Sequence, residues 1–149
     1  AGTGERPKWS SYAAHLEAQY EARALGREEV IWFNAQGNVT EGATSTVFVW
    51  NGRHLVTPPL HEGILAGITR EAVMQLCVQE GIACIEAPLS VDELLAAEAA
   101  FLTSSVREIV PVTQLEDRSL KPHPLIQQLQ TAYRQLVEKE RTRYTSAGL

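Results

Sequence analysis

The run Ser45-Thr46-Val47-Phe48-Val49-Trp50 constrains this chain more than any other. Its β-branched and aromatic residues favour an extended strand. Asn51-Gly52 follows at once, and both residues tolerate positive φ, which fits a tight hairpin turn. His54 to Thr57 reads as the return strand, ended by Pro58-Pro59. A lone hairpin is marginal in water and needs further strands or helices against it.

The flanking sequence supplies both. Trp9 to Leu25 carries Trp9, Tyr12, Ala13, Leu16, Tyr20 and Ala24 at three- and four-residue steps, which predicts an amphipathic helix stopped by Gly26. Glu29 to Asn34 reads as a strand, and Gln36-Gly37-Asn38 as a turn. Ile68 to Glu80 has Val73, Leu76 and Cys77 on one helical face, with Gly81 closing it. Ile82 to Ala87 is a short strand. Ser90-Val91-Asp92-Glu93 fits a capping box, which predicts a helix from Val91 to about Glu98. Ala100 to Ser104 and Ile109 to Leu115 read as strands around a bend. A last helix runs from Leu125 to about Arg141, with Pro122 and Pro124 ahead of it. The mixture is α+β.

Bulk composition narrows the function classes. The chain has 149 residues, one domain's worth, and can bury a core without disulfides or metal. Hydrophobic content of 44% with 21% charged residues is globular, not disordered. The net charge of −5 argues against a nucleic-acid partner. Lys139, Arg141 and Arg143 form the most basic stretch, read as a solvated helix end. No apolar run is long enough for a membrane span, and no signal peptide is evident, so a cytoplasmic location is expected. Cys77 and Cys84 lack the spacing of a zinc or CxxC redox motif; one disulfide between them is open, with the reduced state as the default. His15, His54, His61 and His123 are scattered, and no metal site is expected. Residues 1–7 are small, polar and turn-prone, and read as a linker or a cut end.

Two clusters of polar residues carry potential chemistry. Gly67-Ile68-Thr69-Arg70 opens a helix after a loop, where free amides and a threonine hydroxyl make a site for an anion such as phosphate. The alternative is that Thr69 simply caps the helix. Thr103-Ser104-Ser105 places a second group of hydroxyls at a strand end, and alone would be a polar turn.

The order of the motifs adds what no single one supplies. From Lys8 to about Val137 the chain resembles the class IV aminotransferases, the fold-type IV pyridoxal-phosphate enzymes that include branched-chain aminotransferase, D-amino-acid aminotransferase and aminodeoxychorismate lyase. The resemblance runs through Lys8, Tyr12, Gly26, Asn38-Val39-Thr40-Glu41-Gly42, Thr57-Pro58 and Leu65-Ala66-Gly67-Ile68-Thr69-Arg70. It continues through Ala97 to Phe101, Thr103 to Val112 and Lys121-Pro122. The chain departs from the pattern at Thr46, where the family commonly has asparagine, and around Ala99, where it has acidic residues.

The resemblance implies a fold and a set of roles. The fold is the family's C-terminal α+β domain, over residues 8–149, a twisted, barrel-like sheet flanked by helices. The family's smaller N-terminal domain, which supplies a phosphate-binding arginine, is expected to be absent from this sequence. Lys8 is the implied Schiff-base lysine and proton carrier. Glu41 is implied to face the pyridine nitrogen, although in isolation it reads as a loop glutamate. Tyr12 is implied near the phenolic oxygen, with a core aromatic as the alternative. Gly67, Ile68, Thr69 and Ser105 are implied to bind the phosphate, and Arg23 and Arg70 to be structural. The implied cofactor is pyridoxal 5'-phosphate, the implied substrate a small amino compound and the implied assembly a homodimer. Transamination to a 2-oxo acid leads; β-elimination by an aminodeoxychorismate lyase and a non-catalytic truncated module remain as alternatives.

Overall fold

The computed structural model describes residues 29–42, 45–62 and 67–146. Lys8, Tyr12, Arg23 and the helix predicted over Trp9 to Leu25 lie outside the described residues.

The core is a five-stranded mixed sheet in the order β5-β4-β3-β6-β7. Its strands are β3 (Thr46–Trp50), β4 (Leu55–Thr57), β5 (Cys84–Glu86), β6 (Ala99–Ser104) and β7 (Glu108–Pro111). The run that opens the sequence argument is the central strand β3, and all but Trp50 of its residues are buried. It pairs antiparallel with β6 over five positions, from Thr46↔Thr103 to Trp50↔Ala99. Phe48 and Phe101 are partners in this register, and their rings stack 4.9 Å apart and 5° from parallel. Among the described strands only β4 and β5 run parallel, joined across α1 (Ile68–Gln79).

Alternation along the strands sorts two cores. On one face Phe48, Leu55, Phe101 and Ile109 meet Val73, Leu76 and Cys77 of α1 and Ile126, Leu129 and Ala132 of α3 (Pro124–Ser146). On the other, Val47, Val49, Val56, Ala100 and Leu102 meet Val39, Leu89, Leu115, Leu120 and Leu94 of α2 (Val91–Leu95). A short 3-10 helix (Leu60–Glu62) and two small antiparallel pairs complete the described elements: β1 (Ile31–Phe33) with β2 (Val39–Gly42), and β8 (Gln114–Leu115) with β9 (Arg118–Ser119).

The α+β class and the flanking helices agree with expectation, but the described sheet is open, with β5 and β7 as edges, rather than barrel-like. The β3–β4 connection also differs from the tight turn. Trp50 pairs with Leu55, leaving a four-residue loop. Gly52 alone takes positive φ (+92°), while the Asn51 carboxamide oxygen accepts from the amides of Arg53 and His54. The segment predicted as one strand from Ile109 to Leu115 breaks after Pro111, and the β8–β9 hairpin follows. Strand β2 holds Glu41, which is therefore not a loop residue. Helix α2 stops at Leu95 rather than near Glu98, because the Glu98 amide donates to the Trp50 carbonyl at 3.0 Å.

Candidate active site

One end of the sheet gathers the candidate residues. Strand β4 ends there at Thr57, β3 begins at Thr46, and β6 ends at Ser104 before the turn to β7. The crossover helix α1 starts at the same end, as helices after parallel strands do.

The start of α1 is unusual for this chain. Gly67 occupies the cap position with φ −76° and ψ 140°, and no side chain caps the helix. Thr69 is not the cap. It lies in the first turn, buried, and its hydroxyl donates to the Ser104 carbonyl at 3.2 Å. This bond ties the helix start to the β6–β7 turn, so Gly67, Ile68 and Thr69 are brought together with Ser104-Ser105. Ile68 is 86% exposed, Val106 is 88% exposed, and Ser105 is exposed. Amides of a first helical turn have no intrahelical acceptors, and their partial positive charge favours an anion.

Beneath this surface Thr46 and Thr103 face each other across β3 and β6, both buried. They lie on the face that carries Phe48 and Phe101, under α1. The Thr103 hydroxyl has no hydrogen-bond partner among the described residues. A Cβ on Gly67 would stand 3.7 Å from the Thr46 hydroxyl, so the helix start rests on that threonine.

Glu41 lies on β2, which pairs with β1 through Ile31↔Gly42. Gly42 is required locally. Its amide donates to the Ser45 carbonyl at 2.7 Å, and a Cβ there would collide with the Ser45 hydroxyl. Glu29, which has no sequence motif, adds a link that the sequence did not reveal. Its side chain is only 8% exposed, accepts from the Ser45 hydroxyl at 3.0 Å, and stands 3.8 Å from an Arg107 guanidinium nitrogen. It joins the Glu41–Gly42 corner to the β6–β7 turn. Arg70 is structural, as expected: it is buried and donates to the Pro58 carbonyl and the Glu86 carboxylate at 3.1 and 3.0 Å.

Helix-start amides and the exposed Ser105 hydroxyl form a set of donors at this surface, without a carboxylate among them, while the Thr69 hydroxyl donates to the Ser104 carbonyl and the unpartnered Thr103 hydroxyl is buried below. That set fits the phosphate of a cofactor. Among the described residues no group of three His, Cys, Asp or Glu side chains could hold a metal ion, and no helix is long and apolar enough to cross a membrane.

The sequence profile of the amino-transferase class IV family matches residues 3–115. This chain belongs to that family. A putative branched-chain-amino-acid aminotransferase of Methanocaldococcus jannaschii is 35% identical over 108 residues, covering 72% of this chain and 38% of that protein. Aminodeoxychorismate lyase of Bacillus subtilis is 36% identical over 106 residues, covering 69% and 36%. The crystal structure of the branched-chain aminotransferase of Thermoproteus uzoniensis with norvaline superposes with a TM-score of 0.84 at 38% identity, covering 89% of this chain and 45% of that one. The chain thus spans less than half the length of these class IV relatives. The fold is that of the fold-type IV enzymes, and class IV aminotransferases depend on pyridoxal phosphate.

Proposed function

We propose that residues 8–149 are the cofactor-binding domain of a pyridoxal-phosphate-dependent aminotransferase, which moves an amino group from a small amino compound to a 2-oxo acid. The observation that carries this reading is the uncapped start of α1, with the Thr69 hydroxyl docked on the turn that presents Ser105. In a class IV chain, that is where a phosphate would be held.

The amides of Ile68 and Thr69, with the hydroxyls of Thr69 and Ser105, would bind and orient the phosphate; Gly67 leaves the helix start unblocked. Pyridoxal phosphate, when bound, supplies an electron sink for carbanion chemistry. Lys8 would anchor the cofactor covalently and carry the proton to and from the substrate α-carbon. Glu41 would keep the ring nitrogen protonated, and Tyr12 would hydrogen-bond the phenolic oxygen. We further read the protein as a cytoplasmic homodimer without nucleic-acid or membrane partners. The exposed Ile68 and Val106 beside the helix start are apolar surface that further protein would cover.

The test uses the full-length protein with an amino acid and 2-oxoglutarate, and separately with aminodeoxychorismate. New amino and oxo acids are expected in the first, together with a near-visible absorption that borohydride bleaches and Lys8→Ala removes. Pyruvate release from aminodeoxychorismate without an acceptor would assign the lyase reaction instead. A colourless protein that takes up no added cofactor would leave a non-catalytic module.

A further inference from the structure

The opposite end of α1 holds a second group of reactive side chains. Gly81, at φ +70°, ends the helix. The Ile82 amide donates back to the Cys77 carbonyl at 2.8 Å and the Gly81 amide to the Val78 carbonyl at 3.4 Å, a Schellman closure. The chain reverses there and enters β5, where Cys84 pairs with Leu55 at the edge of the sheet. Arg70, Val73 and Cys77 share one face of α1, and Cys84 and Glu86 share one face of β5. The two faces meet in two rungs. Arg70 and Glu86 form one, at 3.0 Å. Cys77 and Cys84 form the other, both free thiols, with Cys84 packed against the cluster that buries Cys77.

The two thiols belong to one cluster between α1 and β5, and they are not equivalent. Cys77 is fully buried, whereas Cys84 is half-buried on an edge strand. A hydrogen bond with Cys77 lowers the pKa of Cys84, helped by the Arg70 charge and opposed by burial and Glu86. The same bond, burial and the Cys84 charge raise that of Cys77. Cys84 is the sulfur nearer solvent, and the Arg70 charge favours its thiolate.

We propose that Cys77 and Cys84 form a reversible thiol–disulfide site, oxidised by hydrogen peroxide, with Cys84 as the attacking and Cys77 as the resolving sulfur. In the first step the Cys84 thiolate attacks a peroxide oxygen. The S–O bond forms as the O–O bond breaks, and the departing hydroxide takes up a proton to leave as water. In the second, Cys77 loses its proton and attacks the Cys84 sulfur. The S–S bond forms, the S–O bond breaks, and a second water leaves. The two thiols supply two electrons and the peroxide is reduced to water. The product is a covalent staple between α1 and β5.

The experiment treats the full-length protein with hydrogen peroxide, alkylates the remaining thiols and maps the peptides without reduction. No Lys or Arg lies between Glu71 and Val106, so trypsin leaves both cysteines in one peptide. The expected result is loss of two hydrogens from that peptide and of both alkylation sites, restored by dithiothreitol. Cleavage after Glu80 should leave two pieces joined through sulfur. In Cys77→Ser or Cys77→Ala, Cys84 should become trappable by dimedone as a sulfenic acid; in Cys84→Ser, Cys77 should stay a thiol. Two alkylatable cysteines after oxidation, a bridge between chains, or Cys84 carried on to sulfinic acid beside an intact Cys77 would each overturn the proposal. A peroxide-reactive Cys77 in Cys84→Ser would overturn the assignment of roles.

Discussion

The three described helices begin in different ways. Helix α2 is capped by Ser90, whose hydroxyl accepts from the Glu93 amide at 3.1 Å. Helix α3 opens on Pro124, which has no amide to satisfy, and the His123 ring nitrogen Nδ1 accepts from the Leu125 amide at 3.2 Å. Helix α1 has the backbone of a cap at Gly67 but no capping side chain, although its far end is closed by a complete Schellman motif. With glycine at the cap position, the missing side-chain bond costs only about a few tenths of a kcal/mol. Among the described α-helices, α1 is the one whose start has no side-chain acceptor, a local exception. It falls where Thr69 meets the β6–β7 turn. A helix start without a side-chain cap, beside others that have a side-chain acceptor, leaves room for a bound anion to take that place.

The sharpest way to break that comparison is Thr69→Val, which keeps the buried volume and removes the hydroxyl. If the α1 start holds a phosphate, affinity for pyridoxal phosphate falls roughly 10- to 100-fold, since a hydrogen bond to a charged group contributes about 1.5–3 kcal/mol. A spectral titration of the full-length protein reads this directly. Unchanged affinity would return Thr69 to a purely structural role through its bond to the Ser104 carbonyl.

The closed end should behave in the opposite way. Gly81→Ala meets no atom within 4 Å, so its cost is conformational: a residue with a Cβ at φ +70° loses about 1–2 kcal/mol. Thermal melting should show that loss with cofactor affinity intact. Ser90→Ala should cost about 1 kcal/mol by removing the α2 cap, again without touching binding. A change in cofactor affinity in either variant would mean that the ends of the helices are not independent.

These contrasts also show what was legible in the sequence. Strand β3 and helix α1 fell within a residue or so of expectation, because their periodicity is strong and Gly81 can take the φ that ends the helix. The Ser90 cap was readable from spacing alone. The β8–β9 hairpin was not, since two-residue strands have no period to detect. Glu41 read as a loop residue because β2 is short and pairs with β1 through an irregular register. Glu29 carried no signal, because its burial comes from Ser45 and Arg107, distant in sequence and joined only by the fold. Likewise, the sequence could not decide whether Thr69 caps its helix. That depended on whether its hydroxyl pointed to its own helix or to the β6–β7 turn. Lys8 and Tyr12 rest on family resemblance, and lie outside the described residues.

The smallest expected effect separates the two explanations of the free helix end most cleanly. Gly67→Ser supplies the cap that α1 lacks. The backbone at Gly67 already has cap geometry, and a Cβ there would meet the Arg70 Cβ and the Thr46 hydroxyl at 3.7 Å, an ordinary contact distance. Serine in place of glycine at a cap stabilises by only a few tenths of a kcal/mol. Its hydroxyl would, however, accept from the same first-turn amides that a phosphate needs. The ligand-free protein should therefore melt slightly higher while its affinity for pyridoxal phosphate falls. If both rise together, or neither moves, the amides at the start of α1 are not what holds the anion.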